Sequence, residues 1–249
     1  MTFHFQPSGN DKPEWRGDVA KQYINQYQIR FPSTEFVVQQ EFRIETNLEE
    51  KTQRAGITSP KFSEVYARNE DQGEALGVGL NYFTYNRIRL GNDFPHFQPV
   101  AESAFGLLPE YIDFWKPERI KSISLLYLDL VKIPLKHLDL DKYFHFGVKF
   151  PDEFGAAINF ESRFRFPGKR KHTQLDVIFQ GVPPQSLDES VTRFYIHWNC
   201  QKSEINTLDI ATIRDEMNYL HEYVRDCFEA GFTPTCKELF KPISEKEQT

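Results

Sequence analysis

Cysteine is scarce in this chain, and what there is does not cluster. Cys200, Cys227 and Cys236 are odd in number and lack the close spacing of a metal-binding pair, so they read as reduced thiols of a cytosolic protein. Long apolar runs are missing too: no uninterrupted stretch reaches the roughly 18 residues that a membrane span needs. The segment Met1-Thr2-Phe3-His4-Phe5-Gln6-Pro7 has no basic stretch leading into an apolar one, which speaks against a signal peptide. Positive charge is in deficit, with 30 Lys and Arg against 36 Asp and Glu, a formal net charge of -6 that disfavours nonspecific phosphate binding. A cytoplasmic protein that binds neither membrane nor nucleic acid is expected.

The chemical motifs are equally thin. There is no Gly-x-Ser-x-Gly elbow and no phosphate loop, and Gly77-Val78-Gly79 lacks the third glycine of a dinucleotide fingerprint. No two histidines have the spacing of a zinc-binding helix, and no His-Cys cluster is local in sequence. Catalytic residues, metal ligands and cofactors are therefore all expected to be absent. Aromatics, by contrast, are plentiful at 15%, with 23 Phe, and support a packed interior in a chain of 249 residues.

Hydrophobic spacing carries the fold. Phe97, Ala101, Ala104, Leu108, Tyr111 and Trp115 recur in steps of four and three, predicting a helix that Pro117 ends. From Ile120 to Ile133 the pattern becomes apolar on both alternating sides, as expected of a strand covered on both faces. Ile210, Ile213, Met217, Leu220, Val224 and Cys227 predict a second long helix, with Asp209 as its cap and Gly231 as the left-handed residue that stops it. Strands are expected over Phe36 to Thr46, Phe62 to Arg68, Ala75 to Leu90, Ala156 to Phe166, His172 to Gln180 and Thr192 to Gln201, with a short first helix within Trp15 to Tyr27. The polar stretch from Asn47 to Pro60 reads as a loop, and Asp139 or Asp141 as the cap of a short helix.

The expected class is α+β: an antiparallel sheet with helices packed on it, built as two pseudo-repeated halves of strands then helix. The predicted organisation is a flexible tail at 1–13, one domain at 14–241 with halves of about 14–117 and 118–241, and a tail at 242–249.

Phe114-Trp115-Lys116-Pro117-Glu118-Arg119-Ile120, leading into Leu125-Leu126-Tyr127-Leu128-Asp129, resembles a sporadically distributed family of uncharacterised bacterial proteins of about this length. That family carries a helix, a Phe-x-Pro-x-x-Ile turn and a Gly-Leu-Arg-Tyr-Ile-Asn strand. The exit Cys227-Phe228 through Gly231-Phe232-Thr233-Pro234 to Leu239-Phe240 is similar to the family's C-terminus. Ser124 and Leu126 stand where the family has Gly and Arg, and Asp129 where it has Asn. The family has no established activity, so no site residue is implied. Its relatives occur beside defence systems, and the resemblance implies an accessory protein of a CRISPR locus of type III-E, whose caspase-like protease, protease substrate or sigma factor would supply partners.

Two candidate sites follow from the residues. In Arg163-Phe164-Arg165-Phe166-Pro167-Gly168-Lys169-Arg170-Lys171-His172, alternation puts Arg163 and Arg165 on one face of a strand and both Phe on the other. The bland reading is a solvated hairpin tip; the functional one is a docking patch for an acidic protein surface or a nucleic-acid backbone, made of Arg163, Arg165, Lys169, Arg170 and Lys171. Asp129 interrupts an apolar strand and needs a partner, an Arg or Lys in the bland reading. In the functional reading Tyr127, Asp129 and His197 line a pocket between sheet and helices. A non-enzymatic adaptor is the preferred expectation, and a small-molecule or nucleotide-binding module the alternative.

Overall fold

The computed structural model describes residues 1–8, 17–39, 42–47, 52–57, 61–79, 81–88, 96–134, 139–146, 160–182 and 190–239. The fold is α+β: among the described residues there are nine strands of antiparallel sheet, a separate two-stranded hairpin and four α-helices. The chain divides into two compact units, Met1–Lys121 and Ser122–Thr249.

The first unit contains β1 (Thr2–Gln6), α1 (Gly17–Asn25), β2 (Ser33–Gln39), β3 (Phe42–Asn47), β4 (Thr52–Ile57), β5 (Lys61–Asn69), β6 (Glu74–Gly79), β7 (Tyr82–Arg87) and α2 (Phe97–Trp115). Its sheet runs β2-β5-β6-β7-β1, while β3 pairs with β4 alone. Four expectations change here: the single strand expected over Phe36 to Thr46 is two, β2 and β3, which belong to different sheets. The flexible tail begins instead with a strand, because Phe3 and Phe5 alternate with Thr2, His4 and Gln6 and bury their rings. The predicted loop 47–60 contains β4, and the single strand 75–90 is two, β6 and β7, folded back on each other with Gly79 opposite Tyr82.

The core of this unit is one face of the sheet. Phe3, Phe83, Val78 and Val65 lie in register across β1, β7, β6 and β5, and all are fully buried. α2 packs on β7 through the face its spacing predicted, burying Ala104, Leu108, Tyr111 and Trp115. The Tyr111 ring lies 4.8 Å from Phe5 and 5.6 Å from Phe83, and its hydroxyl donates to the Gly79 carbonyl at 2.8 Å. Each fully buried side chain of this size contributes about 1.5–3 kcal/mol.

β8 (Arg119–Pro134) contains the boundary between the units. The second unit continues with a 3-10 turn (Leu140–Lys142), β9 (Phe160–Pro167), β10 (Thr173–Val182), β11 (Val191–Thr207), α3 (Ile210–Gly231) and α4 (Pro234–Glu238), in the strand order β8-β11-β10-β9. α3 packs on β11 with Ile213, Met217, Leu220 and Val224 buried. Asp209 caps it as expected, accepting from the Thr212 amide at 3.0 Å. Asp139 precedes the 3-10 turn without a side-chain capping bond.

Gly231 has a different task from the one expected. It does not adopt a left-handed conformation; a Cβ there would stand 2.8 Å from the Phe146 ring and 3.3 Å from Trp198. Close packing, not backbone handedness, calls for glycine. Around it Phe144, Phe146, Phe179, Phe194 and Phe232 form an aromatic cluster, with Phe144 4.8 Å from Phe179 and 5.7 Å from Phe232.

Candidate interaction surface

β8 presents two unlike faces. Tyr127 and Asp129 point to the α3 side: the Tyr127 hydroxyl shares a 2.8 Å hydrogen bond with His221 Nδ1, and Trp198 Nε1 donates to Asp129 at 2.9 Å. Strand alternation then sends Leu126, Leu128 and Leu130 the other way, where they are 56%, 59% and 43% exposed. The expectation of a strand covered on both faces fails at these three residues. An apolar run does not reveal whether a second layer exists to cover it.

The outward face continues across the neighbouring strands. On β11, Tyr195, His197 and Asn199 alternate with the buried Phe194, Ile196, Trp198 and Cys200. His197 stands opposite Ile178 of β10, and Ile178 opposite Arg163 of β9; Asn199, Asp176 and Arg165 make the next row. Arg165 Nε donates to Asp176 at 2.7 Å and Arg163 Nε to Glu161 at 2.8 Å. Both guanidinium side chains are over 70% exposed, whereas Asp176 and Glu161 are 29% and 42% exposed. The cationic ends therefore stand outermost.

Phe160, Phe164 and Phe166 project to the opposite side of β9, as alternation predicted, although Phe166 at the strand's end remains exposed. Of the three residues expected to line a pocket, Tyr127 and Asp129 share the α3 side, while His197 neighbours Trp198 on β11 and faces outward with the leucines. The imidazole that meets Tyr127 is His221 of α3, which sequence reasoning missed.

The polar pair under β8 is an unusual setting for a carboxyl group. No Arg or Lys is placed against Asp129 among the described residues; an uncharged indole N–H holds it. Burial pushes its pKa up to about 6, with the Trp198 hydrogen bond pulling the other way. Burial also lowers His221 below the ordinary histidine value and raises the Tyr127 phenol, aided by the charge of Asp129. Cys236, buried and near Asp129, is pushed up to about 12 by burial and that carboxylate. Cys200 reaches about 12 through burial as well.

The basic turn is built into the fold. Arg170 donates its amide N–H to the Tyr219 hydroxyl at 2.9 Å and its Nη1 to Asp215 and Glu216, each at 3.0 Å. Lys202 reaches Glu216 at 3.4 Å and the Lys171 carbonyl at 3.2 Å. Tyr223 donates to the Pro167 carbonyl at 3.0 Å. Lys169 and Lys171 are exposed, but Arg170 is committed to α3. Arg163 and Arg165 thus belong to the leucine face, and the turn residues to another place.

No helix among the described residues is long and apolar enough to cross a membrane. No family model, curated protein or solved structure matches the chain.

Proposed function

We propose that this chain is a non-enzymatic interaction protein, an adaptor that docks a partner protein on the outward face of β8, β11, β10 and β9. One observation carries the reading: Leu126, Leu128 and Leu130 lie exposed in a row on a single strand. Being about half exposed, each forgoes about half of the roughly 1.5–3 kcal/mol that full burial would contribute, and a covering partner restores it. Tyr195, His197 and Ile178 extend the row, and Glu161, Arg163 and Arg165 bound it, which is the apolar centre and polar rim of a docking face. Because the guanidinium groups reach farther into solvent than their carboxylates, the fitting partner is a protein segment with apolar side chains at its centre and Asp or Glu at its margin.

The proposed setting is the cytoplasm of a prokaryote, in an antiviral, CRISPR-associated system whose nearby genes encode the partner, a protease substrate or sigma factor among them. This part of the proposal is supported by the sequence resemblance alone. Co-purification from the native operon followed by size exclusion tests it. The parent chain should elute with a partner, and a variant with Leu126→Gln, Leu128→Gln and Leu130→Gln should elute alone and folded. A parent that elutes as a lone monomer, or a variant that keeps its partner undiminished, would remove the reading.

A further inference from the structure

The face of the first unit's sheet opposite its buried core carries an arrangement that a docking role does not use. Gly77 and Gly79 lie two residues apart on β6, so their missing side chains open two neighbouring gaps on one face. Tyr66 of β5 and Thr84 of β7 flank Gly77; Glu64 of β5 and Tyr82 of β7 flank Gly79. The two phenol rings fill the gaps from opposite sides. A Cβ on Gly77 would stand 2.7 Å from the Tyr66 ring, and one on Gly79 would stand 2.5 Å from the Tyr82 ring. The hydroxyls meet at 3.5 Å, and the His4 ring centroid lies 6.4 Å from that of Tyr82.

Covering strand glycines with aromatic rings is a structural device in its own right, and it accounts for the two tyrosines. The carboxylate is tied to the same pair: Glu64 accepts hydrogen bonds from both phenols, and after burial these bonds and its negative charge raise both of them further. No Lys or Arg pairs with Glu64 among the described residues; Arg68, farther along the same face of β5 and within electrostatic reach of Tyr66, is matched to Glu35 at 2.8 Å. Burial lowers His4 below the ordinary histidine value, so near neutral pH it contributes no opposing cation. Two electron-rich rings beside a carboxylate that has phenol donors but no paired cation among the described residues select for positive charge on a weakly hydrated group.

We infer that Glu64, Tyr66 and Tyr82 form a binding point for an organic cation of the quaternary or alkylated ammonium class. The rings supply cation–π attraction, Glu64 supplies the counter-charge, and Gly77 and Gly79 hold the rings low on the sheet so that the carboxylate and the aromatic faces converge. The same group could arrive on a small molecule or on a modified lysine, and the chemistry of recognition is shared.

NMR titration of the full chain with tetramethylammonium chloride, at constant chloride and ionic strength, tests the inference. Saturable shifts of the Tyr66 and Tyr82 ring signals are expected, with none from the neutral isostere tert-butanol. Glu64→Gln should weaken the response about fivefold or more, and Tyr82→Leu should abolish it. Choline and a trimethyllysine peptide, titrated next, identify which source is bound more tightly. Absence of saturation with tetramethylammonium, an equal response to tert-butanol, or an unchanged response in Glu64→Gln would each overturn the inference. Glu64→Gln, at a sheet surface, decides the matter even where Tyr82→Leu fails to fold.

Discussion

The guanidinium of Arg170 lies 4.3 Å above the ring centroid of Tyr219, while the Arg170 amide donates to that same tyrosine's hydroxyl at 2.9 Å. Tyr219 and Tyr223 stack one turn apart with ring planes 2° from parallel, and Tyr223 holds the Pro167 carbonyl. α3 thereby grips both sides of the β9–β10 turn.

Removing the Arg170 side chain should therefore be felt in stability. Arg170→Ala is expected to lower unfolding free energy by about 1 kcal/mol, combining a partly exposed cation–π contact with surface ion pairs. Lys169→Ala and Lys171→Ala should stay within about 0.5 kcal/mol. Urea denaturation of the three variants measures this, and Arg170→Ala indistinguishable from the lysine variants would refute the grip.

Asp129 should leave a mark on the pH dependence of stability. Its carboxyl is raised to about 6 in the folded state, against about 3.9 in an unfolded chain. The folded state then binds its proton more tightly, so this group's contribution is full below about pH 4 and is lost as pH climbs to about 6. The loss is up to about 3 kcal/mol. Asp129→Asn should lack that decline relative to the parent. Denaturant titrations of both proteins at half-unit steps from pH 4 to 7 supply the difference curve, and a flat one would contradict the assignment.

Trp198→Phe isolates the hydrogen bond from the ring. Loss of the indole donor leaves the buried carboxyl unsatisfied and should destabilise by about 1–3 kcal/mol, with a further increment from the smaller ring. The double variant Trp198→Phe with Asp129→Asn should fall short of the sum of the singles, because the two residues share one interaction. Strict additivity would mean they do not.

Gly231→Ala distinguishes packing from backbone strain. The added methyl meets Phe146 and Trp198, so the expected penalty is about 1–3 kcal/mol, an overpacking effect. Trimming the neighbour with Phe146→Leu in the same chain should restore part of it. Restoration would not occur if a left-handed backbone were the reason for glycine.

How far the sequence foretold this structure depended on whether a signal was local. The face of α2 and the cap of α3 were legible because periodicity and the Asp209–Thr212 spacing are properties of a few consecutive residues. Arg163 and Arg165 were placed outward correctly by the period of a strand. The exposure of Leu126, Leu128 and Leu130 was not legible, since burial depends on what packs above a strand. The commitment of Arg170 was hidden for a like reason: its partners Asp215, Glu216 and Tyr219 lie some 45 residues away on α3. Alternation around the buried Trp198 could have turned His197 outward, but nothing local pointed from Tyr127 to His221.

The three thiols differ enough to be useful at the bench. Cys200 and Cys236 are buried and held at about 12, far from the thiolate form that alkylating reagents attack. Cys227 on α3 is raised by burial too, with the Tyr223 hydrogen bond and Lys169 pulling the other way, but it is half-buried where the other two are fully buried. A mildly alkaline maleimide reaction on the native chain should thus attach one dye at one place, beside the Arg170 turn. That dye would report on α3 and its turn without any engineered residue.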